Sequence, residues 1–173
     1  RFKCDWSSDV CSSDLEVIPL AREAGIRGGI YDTHQRDEST YSIGLLASTQ
    51  EVLRIGRDGH IPVHFSHIKT LGHEVWGKSA DVIKLIEQAR ASGQDVTANH
   101  YPWLAANTGL DAALVPRWAS DGGAAAMLKR FDDPAQMTKI RAEMVKNLDR
   151  RGGAGAILIT SGRDRKSTRL NSS

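Results

Sequence analysis

Cysteine is scarce. The chain has 2 among 173 residues, Cys4 and Cys11, and both fall before Glu16, ahead of any apolar pattern. From Glu16 onward there is no thiol, so neither a disulfide framework nor a thiolate metal site can be built there. That lack fits a reducing compartment, and the cytoplasm is the expected location. Long apolar runs are missing too. None approaches the roughly 18 residues of a membrane-spanning helix, so no membrane partner is expected. No secretory leader is visible, and the true N-terminus is expected to lie upstream. No G-x-G-x-x-G follows a strand candidate, which leaves a dinucleotide-binding fold without support. An excess of one charge is also lacking. Lys and Arg total 23 against 21 Asp and Glu, a net charge of +2. Arg165, Lys166 and Arg169 at the extreme C-terminus account for that surplus, so nucleic acid is not an expected partner.

What is present is ordinary for a globular protein, with 40% hydrophobic and 25% charged residues. The two ends are the exception. RFKCDWSSDVCSSDL (residues 1–15) and the segment 164–173, which closes on RKSTRLNSS, are polar and carry no apolar period. Both resemble translated sequencing-adapter sequence and are expected to be artefactual tails outside the folded protein. The stretch from Glu16 to Arg163 would suit one domain.

Within it, strands and helices alternate. Glu16–Gly25 has the pattern of a helix end stopped by Gly25, and Arg27–Thr33 of a short strand. Ile43–Arg57 carries Leu46, Val52, Leu53 and Ile55 at helical spacing, and Ile61–Ser66 follows as a strand. Lys78–Ser92 predicts a helix capped by Ser79, with Val82, Ile83, Ile86 and Ala89 on one face and Gly93 at its end. Asp95–Ala98 is a third strand. Asn107–Gly123 is irregular, and helices are predicted over Ala124–Phe131 and Asp133–Leu148, with Pro134 in the first turn of the second. Ala156–Thr160 predicts a fourth, buried strand. Alternation of this kind implies parallel β-α-β units. The expected fold class is therefore α/β, roughly half of a (β/α)8 barrel, with residues 109–153 as a helical insertion. An open half barrel would leave two unpaired edges and an exposed apolar face, and is not expected to be stable alone.

Polar clusters end three of the strand candidates: His34 after GGIYDT, His67 after PVHFS, and Tyr101 after DVTANH. Ligands of parallel α/β folds bind at those ends. His34 by itself could cap a loop or ligate a metal, and the same choice stands for His67. Alternation puts Val63, Phe65 and His67 on one face, so that His67 extends an apolar row to the rim, with His64 and Ser66 on the other. His60 and His73 fall in predicted turns, and His100 points away from Tyr101.

YDTHQRDE (Tyr31–Glu38), FSHIKTLGHEVWGK (Phe65–Lys78) and VTANHYPWLAANTGL (Val96–Leu110) resemble the D-aminoacylase, or N-acyl-D-amino-acid deacylase, branch of the metal-dependent amidohydrolases. The likeness runs from about Gly28 to Gly123, and more faintly to Ser161. It implies that His34 and His67 are zinc ligands, for one or two ions. It also implies that Lys69 meets the carboxylate of a small N-acyl-amino-acid substrate, that Tyr101 helps bind the substrate and polarise its carbonyl, and that Asn107 stands at the same carboxylate. Neutral imidazole suits zinc, and a lysine ammonium suits a free carboxylate. Asp37 and Glu38 are expected to favour a helix N-terminus or to hold Arg36.

The pattern is incomplete. The family's H-x-H pair would lie upstream and its general-base aspartate downstream. Asp121, in S-D-G, has no strand before it and is not that aspartate. Asn99 stands where the family usually has aspartate, Trp103 where it often has tyrosine, and Asn107 where it often has serine. Two other readings remain: a non-catalytic relative kept for binding, and a hydantoinase-like or dihydroorotase-like enzyme, although no carboxylated-lysine motif is seen at a strand end. With two ligands and no general base, the 173-residue chain by itself is expected to show no deacylase activity. Zinc-dependent turnover of an N-acetyl-D-amino acid by the purified chain would overturn that expectation.

Overall fold

In the computed structural model, residues 14–100 and 102–160 are described. The tails at 1–13 and 161–173, and Tyr101, lie outside the described residues. The chain divides into two compact units, residues 1–107 and 108–173.

The first unit alternates helix and strand: α1 (Asp14–Ile26), β1 (Tyr31–Thr33), α2 (Leu45–Gly59), β2 (Val63–Ile68), α3 (Ser79–Ala91) and β3 (Val96–His100). The three strands form one parallel sheet in the order β1-β2-β3. Tyr31 is level with Val63, and Phe65 with Ala98. Period-2 alternation explains the core. Tyr31, Val63, Phe65 and Val96 are buried against Val52 and Ile55 of α2 and Val82 and Ile86 of α3. The next residues along β2 and β3, His64, Ser66, Thr97 and Asn99, are polar and partly or fully exposed. The expectation of an exposed apolar face is thus corrected. The second face of this sheet is polar and internally hydrogen-bonded, with His64 Nδ1 2.7 Å from Thr97 Oγ1 and the Ser66 hydroxyl donating to Asp32 at 2.6 Å.

Helix α2 lies close on β2 because Gly56 has no side chain, and a Cβ there would run into Val63 Cγ2. The helix ends on His60, which holds φ 50° and donates its backbone N–H to the Arg57 carbonyl. A left-handed non-glycine residue carries strain. Relief of about 1–2 kcal/mol of strain, less the roughly 0.5–1 kcal/mol that glycine adds to the entropy of the unfolded chain, should leave His60→Gly about 0.5–1 kcal/mol more stable. Urea titration checks this, and an unchanged or lower midpoint counts against it.

Two sequence expectations about caps diverge. Ser79 is the first helical residue of α3, not its cap. The cap position belongs to Lys78 and has no side-chain hydrogen bond. Gly93 does stop that helix, at φ 92°, where the Gln94 N–H reaches back to the Ala89 carbonyl.

The second unit is helical, with α4 (Leu110–Leu114), α5 (Arg117–Ser120), α6 (Ala124–Asp132) and α7 (Pro134–Arg150). Asn107–Gly123, expected to be irregular, contains the two short helices. Asp133 caps α7 by accepting from the Ala135 and Gln136 N–H groups, with Pro134 at the first helical position. The predicted fourth strand is not there. Residues 154–156 form a 3₁₀ turn, and Leu158 and Ile159 are 74% and 56% exposed. An apolar run becomes a strand only when a partner edge takes its backbone hydrogen bonds. Among the described residues, no helix is long and apolar enough to cross a membrane.

Candidate metal centre

The loop after β1 is shaped by one carboxylate. Asp37 is buried, and its side chain accepts backbone N–H groups from Ser39 at 2.8 Å, Ser42 at 2.6 Å and Gly44 at 3.0 Å. Gly44 is the residue before α2, so Asp37 serves that helix's N-terminus, as one of the sequence expectations had it. Its own N–H donates to the Ser48 hydroxyl at 2.9 Å. Burial pushes the Asp37 pKa up, but the backbone N–H groups outweigh it and hold the carboxyl below its usual range. The other half of that expectation fails. Arg36 donates to Glu51 at 2.9 Å, and Glu38 turns inward, 4% exposed.

The end of β2 is equally specific. His67 has φ 46° and sits in the register irregularity between Phe65 and Ile68. The apolar row of Val63 and Phe65 therefore stops at Phe65, and strict alternation does not carry through to His67. Its backbone N–H is fixed by the Asn99 side-chain oxygen.

These two strand ends bring His34 and His67 together. His34 Nδ1 lies 3.2 Å from His67 Nε2, with the ring centroids 4.7 Å apart. Glu38 lies beside both, its carboxylate oxygens 3.7 Å from His34 Nε2 and 3.8 Å from His67 Nδ1. Lys69 Nζ donates to both Glu38 oxygens, at 2.7 and 2.5 Å, and lies 2.8 Å from His67 Nδ1. His34, Glu38 and His67 can each offer one ligand atom within 4.8 Å of the others, a possible metal-binding triad.

The electrostatics favour neutral rings. Burial first, then the Lys69 charge, lower the His34 pKa to about 4, and the same two causes lower that of His67. Burial also pushes the Glu38 carboxyl up to about 7, against the opposing ion pair with Lys69. Neutral imidazoles next to a buried carboxyl make a donor set that fits a divalent transition metal.

Of the residues singled out by sequence, His34, His67 and Lys69 are thus brought into one cluster. Tyr101 lies outside the described residues. Asn107 is exposed, and among the described residues no hydrogen bond joins it to the cluster. Sequence reasoning missed Glu38 as a member of this cluster. The signal available was its place four residues after His34, but only the loop around Asp37 turns that spacing into contact.

Fold and site together define an α/β segment carrying a candidate metal centre. Its curated homologues are N-acyl-D-amino-acid deacylases. The chain is 41% identical over 93 residues to D-aminoacylase of Alcaligenes xylosoxydans xylosoxydans, which covers 54% of this chain and 18% of that protein. It is 37% identical over 97 residues to N-acyl-D-glutamate deacylase of the same organism, covering 56% and 19%. The chain therefore spans about a fifth of the length of these relatives. Among solved structures, N-acyl-D-glutamate deacylase of Bordetella bronchiseptica, complexed with zinc and a phosphonate inhibitor, aligns at 33% identity with a TM-score of 0.49, over 53% of this chain and 19% of that one. No family model matches the chain.

Proposed function

We propose that this chain carries part of the active site of a zinc-dependent amidohydrolase that cleaves N-acyl-D-amino acids to a carboxylate and a D-amino acid. The observation that carries this reading is the meeting of His34 Nδ1 and His67 Nε2 at 3.2 Å, at the C-terminal ends of two adjacent parallel strands. Two nitrogens bound to one tetrahedral zinc stand about 3.3 Å apart, from Zn–N distances of about 2.0–2.1 Å. The cleft side of a parallel sheet is also where such a site belongs. We assign His34 and His67 as zinc ligands, for one or two ions, and Lys69, Tyr101 and Asn107 to substrate binding. In this reading the first unit is part of a (β/α)8 barrel and residues 109–153 are an insertion.

When bound, zinc would supply Lewis-acid polarisation of the amide and a water acidified to a pKa of about 7. The protein's own part is to present two neutral imidazoles and to keep an ammonium ready for a carboxylate. The test of the substrate class is saturation-transfer NMR on the zinc-loaded chain, with an N-acetyl-D-amino acid and its L enantiomer. Preference for the D form, lost in Lys69→Met, is the expected outcome. Equal signals for both enantiomers, or full retention in Lys69→Met, would remove the substrate assignment.

A further inference from the structure

A neutral imidazole has one N–H and one lone pair. If His34 Nδ1 and His67 Nε2 give their lone pairs to a metal, the other nitrogen of each ring must carry the proton. Glu38 lies within reach of both of those outward nitrogens. Glu38 has one oxygen 3.7 Å from His34 Nε2 and the other 3.8 Å from His67 Nδ1, and it is 4% exposed. Its backbone is fixed as well, since the Leu71 N–H donates to the Glu38 carbonyl at 2.8 Å. One buried carboxylate therefore stands behind both rings.

Lys69 completes the argument. Its ammonium lies 2.8 Å from His67 Nδ1. An ammonium has donors only, so this bond exists only while Nδ1 keeps its lone pair and Nε2 holds the proton. A protonated Nε2 cannot ligate. The Lys69–His67 bond and ligation through His67 Nε2 exclude one another, whereas the Lys69–Glu38 contacts are compatible with either.

Resting on the metal reading above, we propose that Glu38 is the positioning carboxylate of this centre. It accepts the Nδ1–H of His67 when Nε2 is ligated, and ligation turns Lys69 away from His67 toward the anionic group of the substrate. A carboxylate behind a ligating histidine fixes its tautomer and raises its basicity, and losing one typically weakens metal binding about 10–100-fold.

The experiment is zinc affinity by chelator competition on the full chain and on Glu38→Gln, His34→Ala and His67→Ala, with imidazole ¹⁵N NMR of the wild-type chain before and after zinc. The expected result is a 10–100-fold weaker affinity for Glu38→Gln. In the wild-type spectrum, His67 moves from the Nε2–H to the Nδ1–H tautomer on adding zinc. The NMR readout needs no substitution, so it decides the matter even where Glu38→Gln fails to fold. Zinc binding that depends on both histidines, with a wild-type affinity in Glu38→Gln or with no tautomer change at His67, overturns the role of Glu38 and leaves the metal pair standing. Zinc binding indifferent to His34→Ala and His67→Ala overturns the pair itself, and the role of Glu38 with it.

Discussion

Replacing either His34 or His67 by alanine is expected to weaken zinc binding by at least about 100-fold, because structural zinc sites gain about 10–16 kcal/mol from about four ligands, or roughly 3 kcal/mol each. The two substitutions should not add. Once one imidazole of the facing pair is gone, the other has lost the partner 3.2 Å away that makes the site chelating. His64→Ala is the internal control. That ring lies on the polar face of β2, held by Thr97 and Asn99, and should leave the affinity within about threefold of wild type. Chelator competition on the wild type, the three single variants and the His34→Ala/His67→Ala double variant checks both points. Equal losses in His64→Ala and His67→Ala would mean that zinc binds somewhere other than the facing pair.

The second large effect concerns stability. Asp37→Asn keeps the size of the side chain but removes the charge that gathers the N–H groups of Ser39, Ser42 and Gly44, and it turns an amide donor toward them. Hydrogen bonds to a charged group contribute about 1.5–3 kcal/mol each, so a loss of about 3 kcal/mol is expected even if most of the loop relaxes. The sign with pH follows from the lowered carboxyl. The folded chain holds its proton less tightly than the unfolded chain, whose value is 3.8, so this stabilisation is complete above that pH. It is lost as the pH falls below 3.8 through the folded value. Urea midpoints measured from pH 6 downward should drop less steeply in Asp37→Asn than in wild type across that acid range. A variant within about 0.5 kcal/mol of wild type at pH 6 would show that the loop is held by other contacts.

The loop also shows where reading by residue order stops. The helices at 45–59, 79–91, 124–132 and 134–150 were legible within a few residues, because apolar spacing, Gly93 and the Asp133–Pro134 pair are local signals. The three strands of the sheet were legible as well, although β1 shortened to Tyr31–Thr33, since Gly28 at φ 74° lies outside an extended chain. The fourth strand was misread because its apolar composition says nothing about whether an edge is available to pair with it. Alternation put His67 on the face of Val63 and Phe65, yet it stands at φ 46° in a register shift, where alternation no longer applies.

By itself, the sequence determined the α/β alternation, the helix ends and the two histidines at strand termini, because each depends on residues close together in the chain. The tertiary structure alone decided two things: the enclosure of Glu38 and the capture of Lys69 by that carboxylate. Glu38 and Lys69 are 31 residues apart, and their contact at 2.5 Å exists only because β1 and β2 pair in parallel and Asp37 folds the intervening loop inward. A buried charge has to be satisfied by whatever the fold brings to it, and that partner is set by topology rather than by neighbours in sequence.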